Sequence, residues 1–354
     1  MCINFLTHIS AIEEPRISGM ITYPLDEVLF SSLVGLLCRA EDWGEIEDMA
    51  SIHINWLREF LPFKNGVPQA QTYRRIFAAL DPKILEVAFS SWVTSLQDTL
   101  TGVIAIDGKT LRGSKLNNSG HGALHVLSAY AHEAGLVIAQ KAVDVKTNEI
   151  TAIPGLLNSL VLHGVIVTID AMWCQKNVAK TIRKGGADYV LALNGNQSSL
   201  HADVKGYFED PELKAACLDF KTTEIGHGRI EERTCRVAEA GWLAADHGDW
   251  ADLTTIVAIT SERTDKKTGE ITGDTRYYIS SLDADPKALL SAARAHWSIE
   301  NNLHWQLDVT FREDENRTRK DHAALNFSVI RRAALNMLKR EVTKISLKRK
   351  DTEP

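Results

Sequence analysis

Two aspartates each follow an apolar, β-branched run of the sequence. Asp107 follows "VIAI" in "GVIAIDGKTLRG", and Asp170 follows "VIVTI" in "VIVTIDAMWCQ". Runs of this kind predict buried strands, and the ligand sites of open α/β sheets lie beyond the carboxyl ends of their strands. If both strands belong to one sheet, the two carboxylates could converge at its edge.

Converging carboxylates repel each other unless a cation lies between them. Oxygen-only ligand sets select hard cations, so the expected cofactor is Mg²⁺ or Mn²⁺. An alternative interpretation of Asp107 is a turn residue, because Asp-Gly is a common turn signal. Asp170 has no following glycine, and the recurrence of the pattern therefore favours the metal site.

A site of this kind predicts a third carboxylate, and "AHWSIENNLHWQLD" offers Glu300. Ile299, Leu303 and Leu307 form the apolar stripe of a predicted helix, and Glu300 lies off that stripe. The sequence therefore predicts a helix that carries the third acid.

The same stretch offers a zinc site as an alternative hypothesis. His296, Glu300, His304 and Asp308 are spaced by four residues, and zinc takes such ligands. Each step of four overshoots an α-helical turn by about 40°, so the ends of the series diverge and only neighbouring members can share an ion. Zinc is the weaker hypothesis.

Composition and cysteine usage indicate an ordinary soluble protein. The 354 residues are 44% hydrophobic and 24% charged, with room for two or three packed units. The five cysteines form no C-x-x-C pair, so neither a disulfide framework nor a zinc finger is indicated. No secretory signal is visible, and the longest apolar run, Val28 to Cys38, is too short to span a bilayer. We expect a cytoplasmic protein with no membrane partner and a buried helix at this run.

The net charge of −6 is unevenly distributed. Phe311 to Lys350 contain 12 Lys/Arg against 5 Asp/Glu, a local balance of +7 that leaves about −13 for the remainder. Such a basic region could supply the phosphate attraction of a DNA-binding surface. A solvated helix face is an equally good interpretation of any one cluster.

The chain divides into four predicted parts. Residues 1–100 are helical and form a possible DNA-binding or association domain, in which Trp43 and Trp56 are expected anchors. Residues 101–200 alternate strands and helices, which indicates an α/β fold with a mixed sheet. Residues 201–285 predict a β-rich, hairpin-based insertion, and residues 286–354 return to helices, one of them capped by Asp321.

A short helix within the first part has two possible interpretations. The turn signal at Asn65-Gly66 precedes an amphipathic segment with Arg74 and Arg75. It is either the second helix of a helix-turn-helix motif or an ordinary surface helix that carries two arginines.

Several motifs together resemble the ISAs1 family of insertion-sequence transposases, which includes the H-repeat-associated proteins. The resemblance runs in order along most of the chain. The motifs that carry it are "IEEPR", "TYRRIFAALDP", "IAIDGKTLRGS", "NEITAIPGLL", "VTIDAMWCQKNVAKTI", "GADYVLALNGNQ", "HGRIEER", "RYYISSL", "HWSIENNLHWQLDVTFRED" and "RKDHAALNFSVIRRAALNML".

This resemblance implies a DDE transposase: an RNase H-like mixed sheet core with a β-rich insertion between the second and third acids. Carried over, Asp107, Asp170 and Glu300 are the catalytic, metal-binding triad. In this class two divalent ions, Mg²⁺ or Mn²⁺, straddle the scissile phosphate roughly 3.5–4 Å apart. A protein nucleophile is not required, so no covalent DNA adduct is expected.

The resemblance also implies partners and a location. The expected reaction cleaves the ends of an insertion sequence and joins the freed 3′-OH to target DNA, so the expected partners are terminal inverted repeats and target DNA. Synapsis of two ends makes a homodimer plausible. The expected location is the bacterial cytoplasm, with nucleoid association when the protein is bound to DNA.

Further polar residues lie in or beside these motifs and are predicted to contact phosphates or DNA ends; surface charges or turn residues are the alternative interpretation of each. They are Lys109, Arg112, Lys176, Asn196, Gln197, His227, Arg229, Arg312, Arg317 and Lys320. Trp297 and Trp305 are expected to pack the helix rather than to stack on bases.

Three departures from the family pattern bear on activity. Trp173 replaces a usual glycine, Asn194 stands where lysine is common, and the end "SLKRKDTEP" is shorter than the usual basic tail. They motivate a second hypothesis, a catalytically silent remnant that still binds DNA ends or dimerises. A third is a general RNase H-like nuclease that ignores terminal repeats.

Trp173 is the departure nearest to an acid. An indole there could obstruct the scissile phosphate, strain a turn that needs a positive φ, or stack on a splayed base. We expect obstruction.

Overall fold

The computed structural model describes residues 2–96, 100–115, 122–143, 149–226 and 228–341. Its α-helices are α1 (Cys2–Ser10), α2 (Leu25–Leu37), α3 (Trp43–Ile52), α4 (Ile54–Leu57), α5 (Ala70–Ala79), α6 (Pro82–Ser95), α7 (Glu149–Leu157), α8 (Lys176–Lys184), α9 (Ser198–Glu209), α10 (Pro211–Ala215), α11 (Ala244–His247), α12 (Pro286–Ile299), α13 (Trp305–Val309) and α14 (Ala323–Arg340). Its strands are β1 (Val103–Leu111), β2 (Leu124–Ala131), β3 (Leu136–Val143), β4 (Ile166–Ile169), β5 (Asp188–Leu193), β6 (Leu218–Gly226), β7 (Arg229–Glu239), β8 (Thr255–Asp265) and β9 (Ile271–Ser280). Within these residues no helix has the length and apolar content needed to cross a bilayer.

The strands form one mixed sheet in the order β3-β2-β1-β4-β5-β9-β8-β7-β6. β1, β2 and β3 pair antiparallel, whereas β1 with β4 and β4 with β5 pair parallel. Three antiparallel strands followed by two parallel ones form the RNase H-like core, so the predicted fold class is confirmed. The apolar runs before the two aspartates are the strands β1 and β4.

The β-rich segment is attached to this core edge to edge. β9 pairs antiparallel with β5 at Val190↔Ser280, and β8, β7 and β6 follow outward. The segment was expected to form a hairpin-based subdomain. Its strands instead continue the core sheet, because β5 leaves an edge that β9 satisfies with backbone hydrogen bonds. The four domain boundaries stay a proposal.

Helices cover both faces of the sheet. α12 packs its Leu289 and Leu290 against Val103 and Val190. α14 lies on the same face, where Lys339 Nζ donates to the Tyr130 hydroxyl at 2.8 Å. α7 and α8 cover the opposite face. Successive side chains along a strand point to opposite faces of the sheet. Asp107 lies four residues after Val103 on β1, so both side chains point to the face that α12 and α14 cover.

α14 is buried along nearly its whole length, from Ala323 to Leu338. Its outer side packs against α2, α5 and α6 of the helical N-terminal region, and Asn326 Nδ2 donates to the carbonyls of Phe77 and Leu80 at 2.9 and 2.8 Å. Asp321 is not its N-cap: the helix begins after His322, and Asp321 has a φ of 45°. α14 therefore lies between the N-terminal helices and the sheet and packs against both.

The aromatic residues of the N-terminal region partly follow expectation. Val28 to Leu36 lie in the buried helix α2, and Trp43 is buried against Phe327 at a ring distance of 4.4 Å. Trp56 is 42% exposed and is not a core anchor. The tight helix-turn-helix is absent at α4 and α5, because twelve residues separate Leu57 from Ala70 where that motif has a turn of 3–4.

A buried ion pair joins Arg332 of α14 to Glu313. Arg332 and Glu313 are 0% and 1% exposed, and their Nη1 and Oε1 atoms are 3.0 Å apart. Arg332 also donates through Nε to Ser128 Oγ of β2 at 3.3 Å. Two adjacent buried arginines, Arg331 and Arg332, thus share the charge of one carboxylate.

We predict that Glu313→Gln lowers the free energy of unfolding by about 3–5 kcal/mol, because it leaves buried arginine charge uncompensated. Urea denaturation measures the change. The control is Glu209→Gln, which breaks an exposed pair with Lys205 and should cost less than about 1 kcal/mol. Equal losses in the two variants would contradict the prediction.

Candidate functional site

Asp107 and Asp170 lie side by side because of the register of β1 and β4. The last parallel pair is Ile106↔Ile169, so each aspartate is the next residue on its strand. Neighbouring strands are about 4.8 Å apart, and Thr168, two residues before Asp170, bonds to His296 of α12 at 3.1 Å. Both carboxylates therefore point to the α12 face.

The two aspartates differ in backbone setting. Asp170 follows the last residue of β4, and its Oδ1 accepts from the Ala171 N–H at 2.6 Å at the start of a 3₁₀ turn. Asp107 does not end a strand, because β1 continues to Leu111 in pairing with β2. The expectation of a strand end there was wrong, and so is the alternative of an Asp-Gly turn.

An irregular helix brings Glu300 close to Asp107. Glu300 to His304 form a π-helical turn between α12 and α13. Within the described part of the chain, one group of potential metal ligands lies within 4.8 Å of one another: Asp107, Glu300 and His304. Asp170 lies on the adjacent strand outside that distance. The structure thus unites two of the three predicted acids directly and places the third beside them.

The π turn explains why both His296 and His304 face Asp107. Four residues overshoot a full α turn by about 40°, whereas a π turn, closed by i→i+5 bonds, holds more than four residues, so a step of four falls short of a full turn. The side-chain direction therefore rotates one way about the helix axis from His296 to Glu300 and back the other way from Glu300 to His304. This alignment cannot be predicted from the pattern of a continuous α-helix.

His304 is the functional side chain whose place the sequence left undecided. It is 4% exposed, and its Nε2 lies 3.2 Å from Asp107 Oδ2. Burial acts to raise the pKa of Asp107, but the hydrogen bond and charge of His304, the Gly108 N–H and the charge of His296 bring that pKa below its usual value. The four-residue spacing from Glu300 was the signal for His304.

The four-member zinc hypothesis is not supported by this arrangement. His296 bonds to Thr168 rather than to a shared centre, and burial lowers the pKa of its imidazole against the charges of Asp107 and Asp170. Asp308 lies 2.7 Å from Lys109 Nζ. Only Glu300 and His304 of the series belong to the ligand group.

Lys109 lies inside the protein, although the sequence marked it as a DNA contact. It is 9% exposed, and its Nζ lies 2.7 Å from Asp308 and 3.3 Å from Asp314. Lys109 follows Asp107 by two residues on β1, and Asp308 is on α13. This ion pair fastens the strand of the first acid to the helix that follows Glu300.

Asn196 and Gln197 hold the turn after Asp170. Asn196 Nδ2 donates to the Ala171 carbonyl at 2.6 Å, and Gln197 Nε2 donates to the Cys174 carbonyl at 3.0 Å. These amides support the turn that follows Asp170, and their contact with DNA stays a prediction.

The other predicted DNA contacts fall into two groups, and their roles stay predictions. Lys176 pairs with Asp249, and Arg312 pairs with Glu41 and Glu315. Arg112, 84% exposed, pairs with Asp314 at 3.4 Å. The remaining three described cations, Arg229, Arg317 and Lys320, are exposed. His227 lies outside the described residues.

Trp173 does not stand in the metal site. It is 4% exposed and packs against Gly108 and His125, and its ring centroid is 5.8 Å from that of His125. Gly108 and Asp107 point to opposite faces of β1, so the expected obstruction is wrong. Trp173 has no positive φ, so the alternative of a strained turn is excluded. The indole is buried, so it is not available to stack on a base.

The remaining departures and tryptophans have local explanations. Asn194 Oδ1 accepts from the Gly195 N–H at 2.8 Å and caps its own turn. Trp297 is partly buried beneath the Arg276 guanidinium, 5.0 Å from the ring centroid, whereas Trp305 is 53% exposed and does not pack as expected. The basic tail beyond residue 341 lies outside the described residues.

Family models match most of the chain. Residues 98–337 match the model described as "Transposase DDE domain", and residues 6–93 match the one described as "DDE_Tnp_1-associated". "Putative transposase YncI" of Escherichia coli O157:H7 is 39% identical over 95% of this chain and 87% of its own length. "H repeat-associated putative transposase YhhI" of E. coli K12 is 38% identical over 98% and 93%.

The comparison with solved structures gives a more distant likeness. A piggyBac transposase in a synaptic complex with hairpin DNA is 11% identical, with a TM-score of 0.43 over 99% of this chain and 77% of that chain.

We predict that Asp107→Asn weakens Mn²⁺ binding at least tenfold, because it removes a charged ligand oxygen from the group with Glu300 and His304. Electron paramagnetic resonance of free Mn²⁺ measures the affinity. Asp249→Asn is the matched control, because Asp249 is an exposed acid paired with Lys176 outside the group. Unchanged affinity in Asp107→Asn would show that this carboxylate holds no ion.

We predict that Trp173→Gly lowers the free energy of unfolding by about 3–5 kcal/mol, the range for removing a buried large aromatic side chain. Thermal and urea denaturation measure the loss. Trp305→Gly, at an exposed helical position, serves as the control and should cost about 1 kcal/mol. A Trp173→Gly protein as stable as wild type would mean that the indole contributes no packing.

Proposed function

This chain belongs to the transposase DDE-domain family, and on that premise we propose that it is the transposase of an insertion sequence. In this proposal it cleaves the ends of the element and joins the freed 3′-OH to target DNA. One observation carries the proposal: Asp107 and Glu300 converge within 4.8 Å beside the strand of Asp170, inside the matched domain. The specific ISAs1 assignment is consistent with the H-repeat-associated relatives.

The donor set fits a hard divalent cation. Asp107, Asp170 and Glu300 offer carboxylate oxygens, which Mg²⁺ and Mn²⁺ prefer, and Asp107 has a lowered pKa that keeps it ionised. Asp107, Asp170 and Glu300 would hold two such ions. When bound, the ions supply a more acidic water or hydroxyl nucleophile and charge stabilisation at the phosphate.

The chain's own residues fix the acids in place. The His304 imidazole and the Gly108 N–H hold the two oxygens of Asp107 at 3.2 and 2.8 Å. The Ala171 N–H holds one oxygen of Asp170 and leaves the other free in the described structure. Glu300 is exposed at the π turn, where substrate has access. Asp170 is exposed as well, so substrate would reach both Asp170 and Glu300 while backbone N–H groups hold the two aspartates.

The partners of this reaction follow from the proposal. The chain would bind terminal inverted repeats and target DNA, and it would act as a homodimer because two ends must be brought together. We place it in the bacterial cytoplasm, associated with the nucleoid when it is bound to DNA. The exposed cations Arg112, Arg229, Arg317 and Lys320 are the proposed phosphate contacts.

We predict that the purified protein nicks a duplex carrying its terminal inverted repeats in the presence of Mg²⁺ or Mn²⁺. Asp107→Asn, Asp170→Asn and Glu300→Gln should each reduce nicking below detection, because each removes a metal ligand while leaving a side chain of similar volume. Gel electrophoresis of end-labelled duplex measures nicking, and Asp249→Asn is the control that keeps full activity.

Each hypothesis has its own outcome in this assay. Undiminished nicking in all three acid variants would contradict the triad. Binding of terminal repeats without nicking by the wild-type protein would identify a silent remnant. Cleavage that is equally fast with and without terminal repeats would identify a general nuclease.

A further inference from the structure

A cleft of about 500 Å³ lies between the N-terminal helices and the segment that follows α13. One wall is formed by the start of α3 and by α5, where Arg74 projects. The other wall is formed by residues 316–320, which include Arg317, Arg319 and Lys320. The two walls come from the two separately matched parts of the chain, residues 6–93 and 98–337.

The cleft carries an excess of positive charge. Four of its lining side chains are cations, and Asp42 is its single lining carboxylate. The Asp42 carboxylate is already engaged, because its Oδ1 accepts from the N–H groups of Gly44 and Glu45 at 2.8 and 3.0 Å. A concave surface of one charge sign focuses its field and concentrates ions of opposite sign.

The cations of the cleft are available to a ligand. Arg74, Arg317 and Lys320 are exposed, and within the described residues none of them pairs with a carboxylate. The nearby acids Glu41 and Glu315 are taken by Arg312. Arg319 is fixed in orientation, since its Nε donates to the Gly113 carbonyl at 2.8 Å.

The cleft is connected to the acid site through β1. Gly113 lies against residue 316 so closely that a Cβ on it would be 2.2 Å from the Asn316 carbonyl oxygen. Gly113 follows Asp107 by six residues, which span at most about 20 Å of extended chain. Arg112, 84% exposed, lies between them. A DNA duplex covers about 20 Å in roughly six base pairs.

We propose that this cleft binds the phosphodiester backbone of the duplex whose cleaved end lies at the acids, within roughly six base pairs of the cut. The inference rests on the proposed function, which supplies the identity of the polyanion. It goes beyond that function by giving the N-terminal region a place on the substrate. The binding is sequence-independent, because arginine and lysine contacts to phosphates position a duplex without reading its bases.

The test compares two neighbouring arginines of α5. Arg74 lines the cleft, whereas Arg75 is equally exposed on the same helix but does not line it. Fluorescence anisotropy measures the affinity of the full chain for a labelled duplex carrying the terminal repeat. Metal is removed with EDTA to prevent cleavage, and salt is varied from about 50 to 200 mM.

We predict that Arg74→Ala reduces the slope of log affinity against log salt by roughly 0.9, the value for one phosphate contact. The triple variant Arg74→Ala, Arg317→Ala, Lys320→Ala should lose roughly 2.7 from the slope. Arg75→Ala should leave the slope unchanged. All four residues are exposed, and circular dichroism with a melting curve confirms that each variant is folded.

A second arm tests the position of the contact. The effect of Arg74→Ala should persist on a duplex that extends about twelve base pairs from the cut and disappear on one that extends about three, too short to reach the cleft. It should also persist in Asp107→Asn, because the cleft does not use the acids.

The outcomes separate this inference from the proposed function. If the wild type binds and nicks the duplex and both Arg74→Ala and Arg75→Ala keep the wild-type slope, the cleft alone is overturned. A wild-type chain that binds no duplex overturns both. An equal loss for Arg74→Ala and Arg75→Ala overturns the cleft in favour of a contact along the whole exposed face of α5.

Discussion

The parallel pairing of β1 with β4 ends at Ile106 and Ile169, and this register is the constraint on which the site depends. It places Asp107 and Asp170 on adjacent strands and one sheet face. Two carboxylates so close would repel each other, and the surroundings compensate with the His304 imidazole and N–H groups of the backbone. The helix that carries Glu300 must then be held over this point, and the Lys109–Asp308 ion pair does so from the strand itself.

Much of this arrangement could be predicted from local sequence. The apolar runs that precede Asp107 and Asp170 are signals contained in a few residues, and so is the alternation of strands and helices that indicates a mixed sheet. The RNase H-like arrangement of that sheet was expected from the resemblance to a family. The position of His304 beside Asp107 could not be predicted, because it depends on a π turn that no residue pattern predicts. The buried state of Lys109 depends on Asp308 and Asp314, some 200 positions away, which a single sequence does not connect to β1.

The same limit applies to charge. The sequence shows Lys109, Lys176 and Arg317 as similar cations, but the fold separates them into a buried tie, a paired surface lysine and an exposed arginine of a basic cleft. Trp173 shows the converse error. Its position in the sequence, three residues after an acid, suggested the metal site, and the alternation of β1 puts it on the other face against Gly108.

The burial of α14 between the N-terminal helices and the sheet has a consequence for biosynthesis. α5 is complete at Ala79, but α14 begins only at Ala323, about 240 residues later. Translation proceeds at about 5–20 residues per second. The sides of α2 and α5 that contact α14 therefore stay uncovered for on the order of 12–50 s, until α14 has been synthesised. A chain released before that point lacks the helix that covers them.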